Sequence, residues 1–200
     1  MFLDRDGVLI EDTGYPDDPE ALVLLPGGGE GLRRLATAGW GLVVVTNQSG
    51  AARGYFTLER LAAVHDRLEQ LVEAEGVQFN GIFFCPHHPA GSVEALARHC
   101  ACRKPEPGML RAAARMLGLE LPRCWIVGDR DSDIQAGLAA GVPGLLVGGE
   151  PGGASGVRDR VGGLLDAADL ICRDVRAPQA QSAGDRDGSG PGVRAQPSSR

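Results

Sequence analysis

The run Leu42-Val43-Val44-Val45 constrains the fold of this 200-residue chain more than any other stretch. Its unbroken leucine and valine side chains are typical of a strand buried on both faces, as strands are in a parallel sheet. Similar apolar runs lie near residues 2–3, 81–84, 124–127 and 145–147. Parallel strands need long crossover connections, which are usually helices. The sequence therefore predicts an α/β fold with a doubly wound parallel sheet.

Helical patterns occupy the segments between these runs. One helix is predicted from about Glu30 to Ala38, and a second begins after Thr57, whose side chain can cap it. Two more are predicted at residues 107–117 and 131–140. We also interpret Leu170-Ile171 as a sixth strand.

The composition restricts the partners of the chain. Its formal net charge is -6, whereas proteins that bind nucleic acid or anionic membranes usually present a basic face. No apolar run approaches the ~20 residues of a membrane span, and the sequence reaches Asp4 without a signal-like segment. We therefore expect a cytoplasmic protein with no nucleic-acid or membrane partner.

Residues 177–200 differ in composition from the rest of the chain. They are rich in Gly, Ser, Pro, Gln, Asp and Arg and almost lack apolar side chains, which is typical of disordered segments. A chain of this length suits one domain. The predicted organisation is a folded domain over residues 1–176, followed by a disordered tail over residues 177–200.

Two carboxylates follow the first apolar run. Asp4 and Asp6 stand two residues apart, so in an extended chain their side chains point the same way. Paired carboxylates repel each other unless a cation lies between them, and a hard divalent ion is the usual solution. The alternative is a solvated acidic turn. Gly7 lets the chain turn away without placing a side chain in this crowded space.

Polar residues also follow the other predicted strands. Thr46 comes after the second strand and Asp129 after the fourth, while Lys104, the only lysine of the chain, precedes a predicted helix. Ligands of parallel α/β sheets bind beyond the carboxyl ends of the strands. Each residue alone has an ordinary explanation, as a cap or a solvated charge. A shared crevice with Asp4 and Asp6 explains the whole set better.

This set of side chains fits phosphoryl transfer. Asp4 can attack phosphorus and form an aspartyl-phosphate, and Asp6 can protonate the leaving oxygen. Mg²⁺ bound by the side chains of Asp4 and Asp129 and the backbone carbonyl of Asp6 would hold the anionic nucleophile and phosphate together. Thr46 and Lys104 would bind the equatorial phosphoryl oxygens.

Two further carboxylates follow Asp129. Asp133 lies one helical turn beyond it and is a candidate to support the metal ligands from outside. Asp131 has a simpler explanation, because an acidic residue favours the N-terminus of its helix through the helix dipole.

A second group of metal-binding residue types lies in the segment 85–102. It reads Cys85-Pro-His87-His88-Pro and ends in Cys100-Ala-Cys102. Three thiols and an imidazole form a closed tetrahedral zinc site, which is structural rather than catalytic, and zinc would order a loop that has little apolar content. The alternatives are a Cys100–Cys102 disulfide or free thiols, and His88 or His99 could replace a ligand. Cys124 and Cys172 are predicted to be buried thiols.

Four motifs resemble those of the haloacid dehalogenase superfamily, in the same order. They are Phe-Leu-Asp4-Arg-Asp6-Gly, Val-Val-Thr46-Asn-Gln-Ser-Gly, Cys-Arg103-Lys104-Pro and Val-Gly-Asp129-Arg-Asp-Ser-Asp133. The closer resemblance, over about residues 1–175, is to the D,D-heptose 1,7-bisphosphate phosphatases and the related histidinol-phosphate phosphatases. It implies a Rossmann-like core without a large cap domain, and a phosphatase because of the aspartate at position 6.

The resemblance also implies the ligands of both metals and the substrate contacts. For zinc it implies Cys85, His87, Cys100 and Cys102, with a spacing similar to the heptose branch of the family. Arg103 is expected to bind the distal phosphate of a bisphosphate. Two departures are an arginine at position 130, where lysine is expected, and a first strand with only three residues before Asp4. The implied substrate contacts are Asp12, Thr13, Gly14, Tyr15, Asn47, Gln48, Ser49, Arg103 and Arg130.

The sequence therefore predicts a Mg²⁺-dependent phosphatase with a structural zinc, acting as a monomer on a small phosphorylated sugar. The expected reaction is hydrolysis of the 7-phosphate of D-glycero-D-manno-heptose 1,7-bisphosphate. A phosphatase for histidinol phosphate or another sugar phosphate is the first alternative. The second is a zinc-stabilised protein that binds phosphate esters without turning them over.

Overall fold

The computed structural model describes residues 1–148 and 156–174, together with the backbone of Val193–Arg194. Within these ranges the strands form one parallel sheet in the order β6-β5-β4-β1-β2-β3-β7. Their bounds are β1 Phe2–Leu3, β2 Val43–Asn47, β3 Gly81–Cys85, β4 Ile126–Gly128, β5 Gly144–Val147, β6 Val157–Val161 and β7 Val193–Arg194.

The four predicted helices are present in the described ranges, whereas the helices at residues 50–53 and 164–174 were not predicted. Thr57 caps the longest helix by accepting a hydrogen bond from the Arg60 backbone N–H at 3.2 Å. Gly39, with a φ of +83°, follows the end of the first helix in the left-handed conformation that glycine adopts most easily. The bounds are α1 Gly28–Thr37, α2 Gly50–Arg53, α3 Leu58–Ala74, α4 Gly108–Leu117, α5 Asp131–Ala140 and α6 Leu164–Asp174.

Helices cover both faces of the sheet. Successive strand residues point to opposite faces, so Leu3 and Val44 pack on one side with α1, α3 and α6. Phe2 and Val43 pack on the other side with α4 and α5. The predicted doubly wound parallel sheet is therefore confirmed.

Two details of the sheet differ from the prediction. Leu170-Ile171 is not a strand but part of α6, whose residues Leu164, Ala167 and Ile171 are buried at helical spacing. A two-residue apolar run cannot distinguish a helix from a strand. Two additional strands were not predicted: β7, which lies in the predicted tail, and β6, whose sequence Val-Arg-Asp-Arg-Val is polar and contains no buried residue, as an edge strand can be.

Most of the predicted tail, residues 177–200, lies outside the described residues. Within it, the backbone of β7 pairs with Gly81 and Ile82 of β3. The boundary at residue 176 stays a prediction. In the described ranges, none of the helices combines the length and apolar character needed to cross a bilayer.

The central strand β1 lies between β4 and β2. The chain crosses to β2 on one side and is joined to β4 on the other, so β1 stands at the switch point of the sheet. Ligands of doubly wound sheets bind in the crevice at this point, beyond the carboxyl ends of the strands. The loops of residues 4–27 and 86–107 stand at the same edge.

Candidate active site and metal cluster

A cavity of about 450 Å³ opens at the carboxyl ends of β1 and β2. Thr46 is the penultimate residue of β2, and Asp4 directly follows β1. Thr13 instead lines a neighbouring cavity, which shares Tyr15 with the first one. The predicted residues that line the larger cavity are Asp4, Asp6, Asp12, Gly14, Tyr15, Thr46, Asn47, Gln48, Ser49, Arg103, Lys104, Arg130 and Asp133.

Lys104 forms the centre of a buried charge cluster. Its Nζ lies 2.9 Å from Asp4 Oδ1 and 2.5 Å from Asp133 Oδ1, and it donates a hydrogen bond to the Val45 carbonyl at 2.8 Å. The Lys104 side chain is only 1% exposed. The solvated surface charge that was the alternative for Lys104 is therefore excluded.

Burial and charge act in opposite directions on this cluster. Burial is the largest influence on Lys104 and lowers its pKa, but the Asp133 and Asp4 carboxylates outweigh it, so the pKa is raised overall. Burial also raises the pKa of Asp4, against the attraction of Lys104. Asp4 Oδ1 accepts a further hydrogen bond from the Arg5 backbone N–H at 2.8 Å. The nucleophile candidate is thus held by an ammonium and a backbone amide.

Asp129 completes a group of three carboxylates that could hold a cation. Oxygens of Asp4, Asp129 and Asp133 all lie within 4.8 Å of one another. Asp129 Oδ1 is buried without a hydrogen-bond partner among the described residues. Burial, followed by the charges of Asp4 and Asp133, raises the pKa of Asp129 to about 7. Such a set of crowded oxygens with an unsatisfied atom fits a hard divalent cation such as Mg²⁺.

Two glycines make room for these carboxylates. A Cβ on Gly7 would lie 2.4 Å from Asp129 Oδ2, and Gly7 has a φ of +77°. A Cβ on Gly128 would lie 2.2 Å from the Asp133 Cβ. Both positions therefore exclude any side chain, as the crowding argument for Gly7 predicted. Asp6 as a ligand through its carbonyl stays a prediction, while Asp133 takes a more direct place in the cluster than expected.

Asp6 is held by a network that sequence reasoning missed. Gln48 Nε2 donates to Asp6 Oδ2 at 2.8 Å and to Thr46 Oγ1 at 2.9 Å. The Gln48 Oε1 accepts from Arg5 Nη2 at 3.0 Å, and Arg5 also pairs with Asp6. Burial raises the pKa of Asp6, and Arg5 opposes this rise. Nothing in the sequence distinguished Arg5 from an exposed loop arginine.

The other predicted contacts divide into two groups. The Asn47 amide bonds to the backbone N and O of Lys104, each at 3.0 Å, so it anchors the lysine. Arg130 pairs with Asp12 across the mouth of the cavity, and this contact raises the pKa of Arg130. Arg103 lines the same cavity. Arg103 and Arg130 can therefore supply positive charge beside the carboxylate cluster.

The predicted zinc ligands converge on one point. The Sγ atoms of Cys85, Cys100 and Cys102 lie 3.2–3.4 Å apart. The His87 Nδ1 lies 3.5 Å from Cys102 Sγ and 3.7 Å from Cys85 Sγ. A tetrahedron with Zn–S bonds of about 2.3 Å has S–S edges of about 3.7 Å. The donor set and its spacing therefore fit a tetrahedral zinc ion, slightly compressed.

Alternatives for the cysteines can now be compared with the structure. The Cys100–Cys102 sulfur separation of 3.2 Å exceeds a covalent S–S bond of about 2.05 Å, so the two are not joined. Hydrogen bonding with Cys102, followed by burial, raises the pKa of the Cys85 thiol. Cys124 is buried as predicted, but Cys172 is exposed, because it lies on the outward side of α6. The prediction of a buried Cys172 was wrong.

His88 points away from this cluster. Its Nε2 lies 3.0 Å from Arg53 Nη2, and its Nδ1 accepts a hydrogen bond from the Ala90 backbone N–H at 3.1 Å. The group of four that can hold a metal therefore contains His87 rather than its neighbour.

Comparison with known proteins agrees with this geometry. The family model described as "HAD-hyrolase-like" matches residues 101–177. A D-glycero-beta-D-manno-heptose-1,7-bisphosphate 7-phosphatase of Mesorhizobium japonicum is 43% identical over 185 residues, which is 88% of this chain and 85% of the relative. The protein of the same name from Yersinia pestis is 42% identical over 142 residues, which is 71% of this chain and 76% of the relative.

A solved structure is similar over nearly the whole chain. The D,D-heptose 1,7-bisphosphate phosphatase from B. bronchiseptica, complexed with magnesium and phosphate, aligns with a TM-score of 0.74 and 35% identity. The alignment covers 88% of this chain and 98% of that one. Both the sequence relatives and the fold lead to the same assignment: the chain belongs to the heptose 1,7-bisphosphate phosphatase family of haloacid dehalogenase-like hydrolases.

Proposed function

We propose that the chain is a Mg²⁺-dependent phosphatase that hydrolyses the 7-phosphate of D-glycero-β-D-manno-heptose 1,7-bisphosphate. The observation that carries the proposal is the convergence of Asp4, Asp129 and Asp133 on one point beside the buried Lys104. The names of the relatives support the substrate and its β anomer.

The roles of the side chains follow from their positions. Asp4 attacks phosphorus, and the bond to the sugar oxygen breaks while Asp6 donates a proton to that oxygen. A water molecule then gives a proton to Asp6 and attacks the aspartyl-phosphate, which releases phosphate and restores Asp4. Lys104 and Thr46 hold the equatorial phosphoryl oxygens. The side chains of Asp4 and Asp129 and the backbone carbonyl of Asp6, with Asp133 beside them, would hold Mg²⁺, which would supply positive charge to the anionic phosphoryl group.

The substrate's second phosphate needs positive charge of its own. Arg103 and Arg130 line the same cavity as Asp4, and a guanidinium can bind a phosphate through two parallel hydrogen bonds. In the free protein Arg130 is paired with Asp12. A bound 1-phosphate would therefore replace the Asp12 carboxylate as the partner of Arg130.

The cluster of Cys85, His87, Cys100 and Cys102 is proposed to hold a structural Zn²⁺. A site with four protein ligands has no open position for a substrate or water. Arg103 and Lys104 directly follow the last ligand, so the metal orders the segment that delivers both side chains to the cavity. We further propose that the protein acts as a cytoplasmic monomer, without nucleic-acid or membrane partners.

Phosphate release from a panel of substrates tests the proposed function. The β anomer of the heptose bisphosphate should exceed the α anomer and histidinol phosphate in kcat/KM by about tenfold or more. The product should carry its remaining phosphate on C1, as seen by ³¹P NMR. A preference for histidinol phosphate would favour the related phosphatases. Binding of sugar phosphates without any turnover would favour a catalytically silent protein.

Asp4→Asn should abolish turnover, because an amide cannot attack phosphorus. The variant should keep its zinc and its circular dichroism spectrum. Asp131→Asn is the matched control, since the exposed Asp131 lies outside the cavity and loses the same charge. Appreciable activity in Asp4→Asn would contradict the assignment of the nucleophile.

A further inference from the structure

Arg5 is the largest side chain that is fully buried in the described part of the chain. Burial of a guanidinium costs several kcal/mol unless its hydrogen bonds and charge are satisfied. Its Nη1 has no hydrogen-bond partner among the described residues. Arg5 has no role in the proposed mechanism of hydrolysis. The contacts of its side chain must therefore explain why it is buried.

The Arg5 guanidinium donates hydrogen bonds to both carboxylate oxygens of Asp6. Arg5 Nε donates to Asp6 Oδ1 at 3.0 Å, and Nη2 donates to Oδ2 at 3.1 Å. These are two parallel hydrogen bonds, the arrangement in which arginine fixes both the place and the plane of a carboxylate. Asp6 is thereby held on a wall of the cavity that it shares with Asp4.

The same guanidinium fixes the orientation of Gln48. Because Arg5 Nη2 can only donate, the atom of Gln48 that faces it must be the carbonyl oxygen Oε1, at 3.0 Å. The amide nitrogen Nε2 is then directed to Asp6 Oδ2 and Thr46 Oγ1. Gln48 is 4% exposed, so solvent does not compete for these bonds. Arg5 thus holds Asp6 in two ways, directly and through the Gln48 amide.

We propose that Arg5 is a positioning residue for the proton transfer by Asp6. The inference rests on the proposed function, because it concerns the step in which the leaving oxygen is protonated. In that step the P–O bond breaks, its electron pair goes to the sugar oxygen, and the proton passes from Asp6 to that oxygen. The Asp6 carboxylate that remains faces Arg5. Arg5 touches neither the substrate nor the phosphoryl group.

A comparison of two leaving groups distinguishes this role from a purely structural one. A sugar alkoxide needs protonation to depart, whereas p-nitrophenolate departs without it. The value of kcat/KM reports the steps up to formation of the aspartyl-phosphate. Arg5→Met should lower kcat/KM for the sugar phosphate by about 10- to 100-fold, as misplaced acid catalysis does. For p-nitrophenyl phosphate it should fall by less than about threefold.

Asp6→Asn and the double variant with Arg5→Met show whether Arg5 acts on the reaction through Asp6. Asp6→Asn should show the same selective loss, and adding Arg5→Met to it should cost nothing further. Arg123→Met removes an exposed arginine paired with Glu120 and should leave kcat/KM for both substrates unchanged. If Arg5→Met does not fold, Arg5→Lys tests the proposal and should show the same selective loss, because a lysine keeps the charge but lacks the planar fork that bonds in parallel to both carboxylate oxygens.

Failure of the proposal for Arg5 and failure of the proposed function give different results in these experiments. Equal losses for both substrates in the Arg5 variants, or a further loss of Arg5→Met on top of Asp6→Asn, would overturn the role of Arg5 alone. If Asp6→Asn itself shows no selective loss, Asp6 is not the acid, and both the proposed mechanism and the role of Arg5 fail.

Discussion

Lys104 occupies a place that arginine cannot fill. Its ammonium has three acceptors around it, on Asp4, Asp133 and the Val45 carbonyl, and a compact group with three donors suits this shape. A planar guanidinium is larger and would have to displace one carboxylate. This explains why a chain whose other basic residues are arginines carries a lysine here.

The convergence of Asp4, Asp129 and Lys104 could be predicted, because all three follow or face the carboxyl ends of strands in one parallel sheet. Arg5 could not be predicted in the same way. It stands between Asp4 and Asp6, and alternation along a strand would turn its side chain away from both. The chain bends directly after β1, so the Arg5 side chain instead faces Asp6. Such a bend depends on tertiary packing rather than on local sequence.

Gly7→Ala tests the crowding around the proposed magnesium ligands. The new Cβ would lie 2.4 Å from Asp129 Oδ2, so the Asp129 carboxylate must shift from its position beside Asp4 and Asp133. Displacement of groups that orient a metal ligand typically costs about 10- to 100-fold in metal affinity. The Mg²⁺ concentration for half-maximal activity should rise by this factor.

Gly39→Ala is the matched control for backbone strain. Gly39 has a φ of +83°, similar to that of Gly7, but a Cβ at this position would have nothing within 4 Å of it. The variant should lose about 1 kcal/mol of stability and keep its Mg²⁺ requirement. If Gly7→Ala and Gly39→Ala need the same Mg²⁺ concentration for half-maximal activity, the contact with Asp129 does not control the Mg²⁺ affinity.

At the scale of elements, the loop of residues 86–107 is built around the cluster of Cys85, His87, Cys100 and Cys102. The described part of this loop has only a short 3-10 turn, Glu94–Leu96, and no buried residue in that turn. The convergence of these four side chains could be predicted, because the resemblance to the family implied the set of Cys85, His87, Cys100 and Cys102. The loop's link to the active site was less evident. It appears in the bonds between Asn47 and the Lys104 backbone, which tie the loop end to β2.

Cys102→Ser should therefore impair both the fold and the activity. A lost ligand weakens zinc binding, and Lys104, two residues further on, loses its fixed position. A stability loss of about 3 kcal/mol corresponds to a fall in Tm of roughly 6–12 °C for a chain of this length. Zinc content by atomic absorption, Tm and kcat should all fall together. Cys172→Ser, an exposed thiol outside the cluster, should change none of them. A Cys102→Ser variant with full activity and no zinc would contradict the link between zinc binding and the position of Lys104.

At the scale of the whole molecule, the central sheet could be predicted and its edges could not. The runs of β2 and β3 are apolar because helices cover both their faces, so their sequences carry the signal of burial. Among the described strands, β6 pairs on one side only, with β5, and tolerates Arg158, Asp159 and Arg160. A polar strand of this kind has no period that distinguishes it from a loop. Leu170-Ile171 shows the converse error, because a short apolar run on the buried face of the helix α6 resembles a buried strand.

A chain that ends at Arg176 tests the predicted domain boundary. Within the described ranges, β7 pairs with Gly81 and Ile82 at the amino end of β3, whereas the cavity and the cysteine and histidine cluster lie at the carboxyl end. Removal of residues 177–200 should therefore leave kcat/KM and zinc content within about twofold. Two paired residues contribute roughly 1 kcal/mol, so Tm should fall by no more than about 2–4 °C. A chain that ends at Gly163 is the control, because it removes α6 with its core residues and should not fold. A loss of activity above about tenfold in the chain of residues 1–176 would show that the folded domain extends into the predicted tail.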